Sequence, residues 1–76
     1  MNGEPTGLAE RLANRLRAER EFRGWTQAEL AARVGVSRKT INTIENGIFV
    51  PSTLIALKIA ESFERAVEEL FSVVED

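Results

Sequence analysis

The chain has 76 residues, a formal net charge of −2, and neither cysteine nor histidine. One domain with a modest core is the most such a length holds. The missing residue types exclude a disulfide framework, a thiolate metal site, the usual general base near neutral pH and the commonest metal ligand, so no cofactor and no metal is expected.

The first seven residues, MNGEPTG, contain two Gly and a Pro and are expected to be a flexible N-terminal segment. They lack the basic-then-apolar layout of a secretion signal, and no apolar run approaches the roughly 18 residues of a membrane span. The expectation is a soluble, cytoplasmic protein with no membrane partner and no small-molecule ligand. From Leu8 the pattern turns helical, with Leu8, Leu12 and Leu16 at four-residue steps and Gly24 as the stop. Thr26 followed by Glu29 has the spacing of a capping box and opens a second helix with Ala28, Leu30, Ala31 and Val34 on its apolar side. Gly35 ends it. Ser37 is placed to cap a third helix, in which Ile41 and Ile44 face inward and Asn46-Gly47 ends the run. Pro51-Ser52 opens a fourth helix with Leu54, Leu57, Ala60 and Phe63 toward the core. A last helical piece carries Val67, Leu70 and Phe71. Strand-like character is confined to Ile48-Phe49-Val50 and Val73-Val74. The expected fold is an all-α compact bundle of four to five short helices, with the domain at residues 8–71 and a C-terminal tail at 72–76.

The second and third helices carry the functional signal. The turn between them is only Val34-Gly35-Val36-Ser37. Gly35 is suited to the positive φ of a sharp reversal, and Ala31 one turn earlier admits a close neighbour. This is the internal logic of a helix-turn-helix. The string Gln27-Ala28-Glu29-Leu30-Ala31, then Gly35-Val36-Ser37, Ile41, Ile44-Glu45-Asn46-Gly47, Pro51-Ser52, Ala56-Leu57-Lys58-Ile59-Ala60 and Glu68-Glu69-Leu70-Phe71 resembles the phage repressor/Cro-type (Xre-like) helix-turn-helix family in its short single-domain form. The resemblance runs from about Asn14 to Phe71.

It implies that the third helix lies in the major groove of double-stranded DNA with its N-terminal half at the base edges. The outward positions there are Arg38, Lys39, Asn42 and Thr43. Arg and Lys suit guanine O6 and N7, Asn suits adenine N6 and N7, and a Thr methyl suits the thymine methyl; Thr43 reads equally well as a bystander. Gln27 matches the family's phosphate-clamping glutamine. Ser37, Thr40 and Asn46 are candidate backbone contacts, although Thr40 and Asn46 also read as helix filler and helix breaker. Trp25, at a helix junction, reads as core rather than as a base-stacking platform.

Charge placement agrees with a polyanion-facing first part. Residues 1–50 hold eight basic side chains against six acids, and residues 51–76 hold two against six. Two charges fall on inward stripes: Arg20 extends the Leu8-Leu12-Leu16 series and Glu45 extends Ile41. A buried charge is costly unless paired, and the resemblance implies an Arg20–Glu45 bridge. Two departures from the family stand out. Glu19 occupies a position where an apolar residue is common, with Phe22 as the expected compensating contact. After Phe63 the family usually has Gly, whereas this chain has Glu64-Arg65-Ala66, so a shifted or smoothed break is expected.

The resemblance also implies a homodimer on a palindromic operator, with Val67, Leu70, Phe71, Val73 and Val74 as interface; the alternative is that these residues only cap the core. The expected function is sequence-specific DNA binding as a transcriptional regulator, with repression as the mode. Because the motif occupies most of the chain, regulation is expected through concentration, a partner or weak dimerisation. An antitoxin or controller protein of a gene pair, and a protein-interaction module that has lost DNA binding, are the alternatives. An enzyme is not expected, since only Ser, Thr and carboxylates remain to form a catalytic site.

Overall fold

The computed structural model describes residues 10–75. In chain order they form β1 (Glu10–Asn14), α1 (Leu16–Phe22), α2 (Gln27–Val34), α3 (Arg38–Glu45), α4 (Thr53–Phe63), α5 (Val67–Leu70) and β2 (Phe71–Glu75). Residues 1–7 and Leu8, expected to be loose and helical respectively, lie outside the described residues.

Side-chain caps set most helix starts where the sequence places them. Thr26 Oγ1 accepts from Glu29 N at 3.0 Å while Glu29 Oε1 accepts from Thr26 N at 2.7 Å, a complete capping box. Ser37 Oγ accepts from Thr40 N, and Ser52 Oγ from Ile55 N. Gly35, at φ +86°, closes α2 in the left-handed conformation, with its N–H donating to Ala31 O at 2.8 Å. The chain then needs only Val36 and Ser37 before α3 begins.

The all-α expectation requires correction. β1 and β2, from opposite ends of the described chain, pair antiparallel with Leu12 opposite Val73 and Asn14 opposite Phe71. The expected first helix therefore does not include Leu12; it begins at Leu16. Asn14 explains the boundary. Its Oδ1 accepts from Leu16 N at 3.1 Å, and its Nδ2 donates to Ile44 O at 2.9 Å, tying the start of α1 to the end of α3. Arg15 N donates to Leu70 O at 2.9 Å and continues the ladder toward α5. The segment ERLAN has no strand propensity of its own. It becomes a strand because the β-branched Val73-Val74 run offers unpaired backbone groups that it can satisfy. The Val73-Val74 strand signal was sound, whereas residues 48–50 form no strand.

The core is built from one stripe of each helix: Leu16, then Leu30, Ala31 and Val34, then Ile41 and Ile44, then Ile59, Ala60 and Phe63, and finally Leu70. Three inward assignments fail. Ala28 is exposed. Leu54 and Leu57 are exposed as well, because α4 turns Ile55-Ala56, Ile59-Ala60 and Phe63 inward. The steps of three through Leu54, Leu57 and Ala60 drift off a 3.6-residue period. Phe22 is 85% exposed and compensates for nothing. Glu19 is accommodated electrostatically instead, accepting from Arg23 Nε at 3.1 Å and Arg65 Nε at 3.3 Å. Burial pushes its carboxyl up, but the hydrogen bonds and charges of those two arginines outweigh it, and its pKa is lowered. Trp25 stacks on Phe63 with ring centroids 5.3 Å apart, and the Arg33 guanidinium lies 4.0 Å from its ring centroid.

The break after Phe63 is neither shifted nor smoothed. Glu64 itself takes the left-handed conformation at φ +56° and ends α4 where the family usually has Gly. A side chain there is strained against the following carbonyl. Glu64→Gly is expected to raise stability by about 0.5–1 kcal/mol, read as an increased urea midpoint at unchanged slope.

Candidate nucleic-acid interface

Two chemical requirements meet at α3. One side must pack on α2, and the other must present polar groups to a ligand. Ile41 and Ile44 are buried against the core, which leaves Arg38 and Lys39 exposed and Asn42 and Thr43 half-buried on the opposite rim.

Glu45, the only acid of α3, is withdrawn from that rim. Arg20 Nε donates to Glu45 Oε2 at 2.7 Å and Nη2 donates to Oε1 at 3.1 Å, a bidentate pair, while Nη1 donates to Trp25 O at 2.9 Å. The Arg20 side chain is 10% exposed and that of Glu45 1%. The bridge implied by the resemblance is therefore present. Arg20 is placed by Leu16 one turn earlier on α1, so the last two members of the predicted stripe hold. Gln27 Nε2 donates to the same Glu45 Oε1 at 3.1 Å, and the exposed Arg17 places Nε at 3.7 Å from it. Burial pushes the Glu45 carboxyl up. The hydrogen bonds from Arg20 and Gln27 and the charges of Arg20 and Arg17 more than reverse this, so its pKa is lowered. The hydrogen bond to Glu45 correspondingly raises Arg20.

The rest of the rim is a set of short polar side chains already joined to one another. Ser37 Oγ and Thr40 Oγ1 share a hydrogen bond of 2.9 Å, and Thr43 Oγ1 donates to Thr40 O at 3.0 Å. Gln27 Nε2 also donates to Asn42 Oδ1 at 3.2 Å, and Asn46 Nδ2 donates to the same oxygen at 3.3 Å. Beyond Thr43 the chain turns back, with Ile48 N and Phe49 N both donating to Thr43 O, and the Ile48 and Phe49 side chains border Lys39, Thr40 and Thr43.

A tight two-helix turn, a buried ion pair behind it and an acid-free outward rim together define the motif. A helix-turn-helix family model matches residues 16–70. The chain belongs to the Xre-like helix-turn-helix family. It is 38% identical over 65 residues to the HTH-type transcriptional regulator YgzD of Bacillus subtilis, covering 86% of this chain and 98% of that protein. An HTH-type transcriptional regulator of Methanocaldococcus jannaschii is 40% identical, with the same two coverages. Antitoxin HipB of Escherichia coli O6:H1 is 40% identical over 53 residues, which are 70% of this chain and 56% of HipB. The family is one of DNA-binding transcriptional regulators rather than a class of enzymes.

Within the family frame, the eight residues assigned to base and phosphate contact lie on α3 or its margins, except Gln27 at the first position of α2. Gln27 is not a free clamp, since its amide nitrogen is held by Glu45 and Asn42. Leu70 must be corrected: it is 2% exposed within its own chain and belongs to the core, not to an interface. Val67, Phe71 and Val74 are half-buried and Val73 is exposed. Sequence reasoning missed Arg17, whose position one turn before the paired Arg20 was the available signal. It also missed the apolar strip at Ile48, Phe49 and Val50, whose strand-like pattern was the available signal.

Because the folded-state pKa of Glu45 lies below its ordinary 4.5, its contribution to stability is fully present above that value and is lost as pH falls through the folded one. The urea midpoint is expected to drop on acidification from pH 5 to pH 3, and Glu45→Gln should flatten that drop. Glu45→Ala, which leaves the Arg20 guanidinium buried and unmatched, is expected to destabilise the fold by roughly 3–5 kcal/mol.

Proposed function

We propose that the protein is a sequence-specific repressor that binds a palindromic operator as a homodimer in the cytoplasm and acts by promoter occlusion. The observation that carries this reading is the outward rim of α3, where Arg38 and Lys39 are exposed while the helix's single carboxylate is enclosed by Arg20 and Gln27. Phosphate repels an exposed carboxylate at close range. Arg38, Lys39, Asn42 and Thr43 meet base edges in the major groove. Ser37, Thr40 and Asn46, joined by the exposed Arg17 and by the main-chain N–H of Gln27 at the N-terminus of α2, set the register on the backbone.

One recognition helix reads only a few base pairs, and a second copy extends the site by half-sites roughly 34 Å apart. The surface for that contact is a mixed groove in which Leu12, Phe49, Val50 and Phe71 lie beside Glu10, Arg11, Asn14 and Asn46. Val73 lies opposite Leu12 in the sheet and is 70% exposed. Val74, on the opposite face of this two-stranded ribbon, and Val67 reach the second copy from that side, and Leu70 stays in the core. The terminal segments at 1–7 and 72–76 flank the domain at 8–71, the latter as part of the dimer contact.

The likeness to HipB favours a second reading, a DNA-binding antitoxin that also holds the product of a neighbouring gene; co-purification with that product distinguishes it. A module that has lost DNA binding is distinguished by salt, since phosphate contacts make affinity fall steeply as salt rises.

Selection of bound sequences from random DNA by the purified protein is expected to return a palindrome. Arg38→Ala should weaken binding to it by about 1–3 kcal/mol and relax preference at particular bases. Sedimentation should show a concentration-dependent dimer, weakened at least about tenfold by Val50→Lys or Val73→Lys, which place a charge in an apolar contact. Monomer alone at high micromolar concentration, or a selection without consensus, overturns the respective part of the proposal.

A further inference from the structure

The orientation of the Asn42 amide is dictated from inside the protein. The Glu45 carboxylate is ionised and can only accept, so the Gln27 group facing its Oε1 at 3.1 Å must be the amide nitrogen. The second hydrogen of that nitrogen points at Asn42, 3.2 Å away, and requires an acceptor there, namely Oδ1. Asn46 follows this polarity, its Nδ2 donating to the same oxygen at 3.3 Å. Both lone pairs of Asn42 Oδ1 are thus taken. Among the described residues Asn42 Nδ2 has no protein acceptor, and it is the end of the amide left for a ligand.

We propose that Asn42 reads its base as a donor only, selecting guanine, with Gln27 as the positioning residue that sets this polarity. This rests on the DNA-binding reading given above. An amide free to turn pairs with adenine through both ends, its oxygen accepting from N6 and its nitrogen donating to N7. The fixed amide of Asn42 lacks the first half of that pair. Its two N–H groups match guanine, which offers two acceptors, O6 and N7, where thymine offers O4 alone, and they face an opposing amino group on adenine N6 or cytosine N4. The adenine pairing that the residue type alone suggests is thereby replaced.

The test compares binding-site selection for the parent, Asn42→Ala, Asn42→Asp and Gln27→Leu, with thermal melts to confirm folding. The position at which Asn42→Ala loses preference is expected to be a guanine in the parent, with guanine favoured over adenine by about tenfold, the size of one good polar base contact. Replacing that guanine with 7-deazaguanine should weaken the parent and leave Asn42→Ala unaffected. Gln27→Leu should admit adenine at that position alone. Asn42→Asp, which has nearly the same shape and presents only acceptors, should reverse the preference toward a base bearing an amino group, even where Gln27→Leu does not fold. A preferred adenine, cytosine or thymine at that position overturns the proposal, as does an equal loss for every sequence in Asn42→Ala or an Asn42→Asp variant with the parental preference. A parent without any sequence preference overturns the DNA-binding reading itself, whereas a selective parent with an Asn42→Ala variant of identical selectivity overturns this inference alone.

Discussion

The Arg20–Glu45 pair is the contact on which the rest of this small domain depends. An ion pair this enclosed is weak evidence of net stability, because desolvation of both groups opposes their attraction. What it supplies is position. The fork of Arg20 holds both carboxylate oxygens and the Trp25 carbonyl at once, so α1, the α1–α2 junction and the end of α3 have one mutual arrangement. Asn14 fastens the same two helices from the other side through Ile44 O. α3 is therefore restrained at its C-terminal end by polar contacts and along its back by two isoleucines, while Arg38 and Lys39 at its N-terminal end stay exposed.

The same pair resolves how a protein with net charge −2 can present a face to a polyanion. What matters at a phosphate is the charge within a screening length of about 8 Å, not the sum over the chain. Glu45 is neutralised in place. Glu19 and Glu69 are matched by Arg23 and Arg65, away from α3. What remains on or beside the rim is Arg38, Lys39 and Arg17, with the exposed Glu21 beside Arg17 as the nearby acid. The acidic character of residues 51–76 is thus compatible with DNA binding.

Local chemistry was legible in the sequence wherever one residue decides one boundary. The capping box at Thr26 and Glu29, the left-handed Gly35 and the Ser37 and Ser52 caps all stand where their residue types place them, because each is satisfied within four residues. Contacts decided by distant partners were not legible. ERLAN reads as helix because its propensities are helical, and it becomes a strand only through Val73-Val74, some sixty residues away. Leu54 and Leu57 read as core by steps of three, but the inward face of α4 is selected by what α2 and α5 offer. The left-handed Glu64 violates its own preference because the packing of Phe63 on Trp25 and of Leu70 below it fixes where the chain must turn. At the interface, residue type indicated which side chains face out; which end of an amide each presents depends on a carboxylate that the linear pattern shows only as a buried charge.

Stability and recognition therefore share one group. Glu45 holds Arg20 on one side and, through Gln27, orders the amides of Asn42 and Asn46 on the other. A network of this kind has a direction: it begins at an atom that can only accept, and every later donor and acceptor is fixed in turn. A hydrophobic pair in place of Arg20 and Glu45 could preserve the packing of α1 on α3, as buried ion pairs elsewhere can be replaced without loss of fold. It would release Gln27, and with it the polarity of the rim. The ion pair thus has a role that its contribution to folding alone does not require, which is to carry a fixed hydrogen-bonding sense from the interior to the exposed rim of α3.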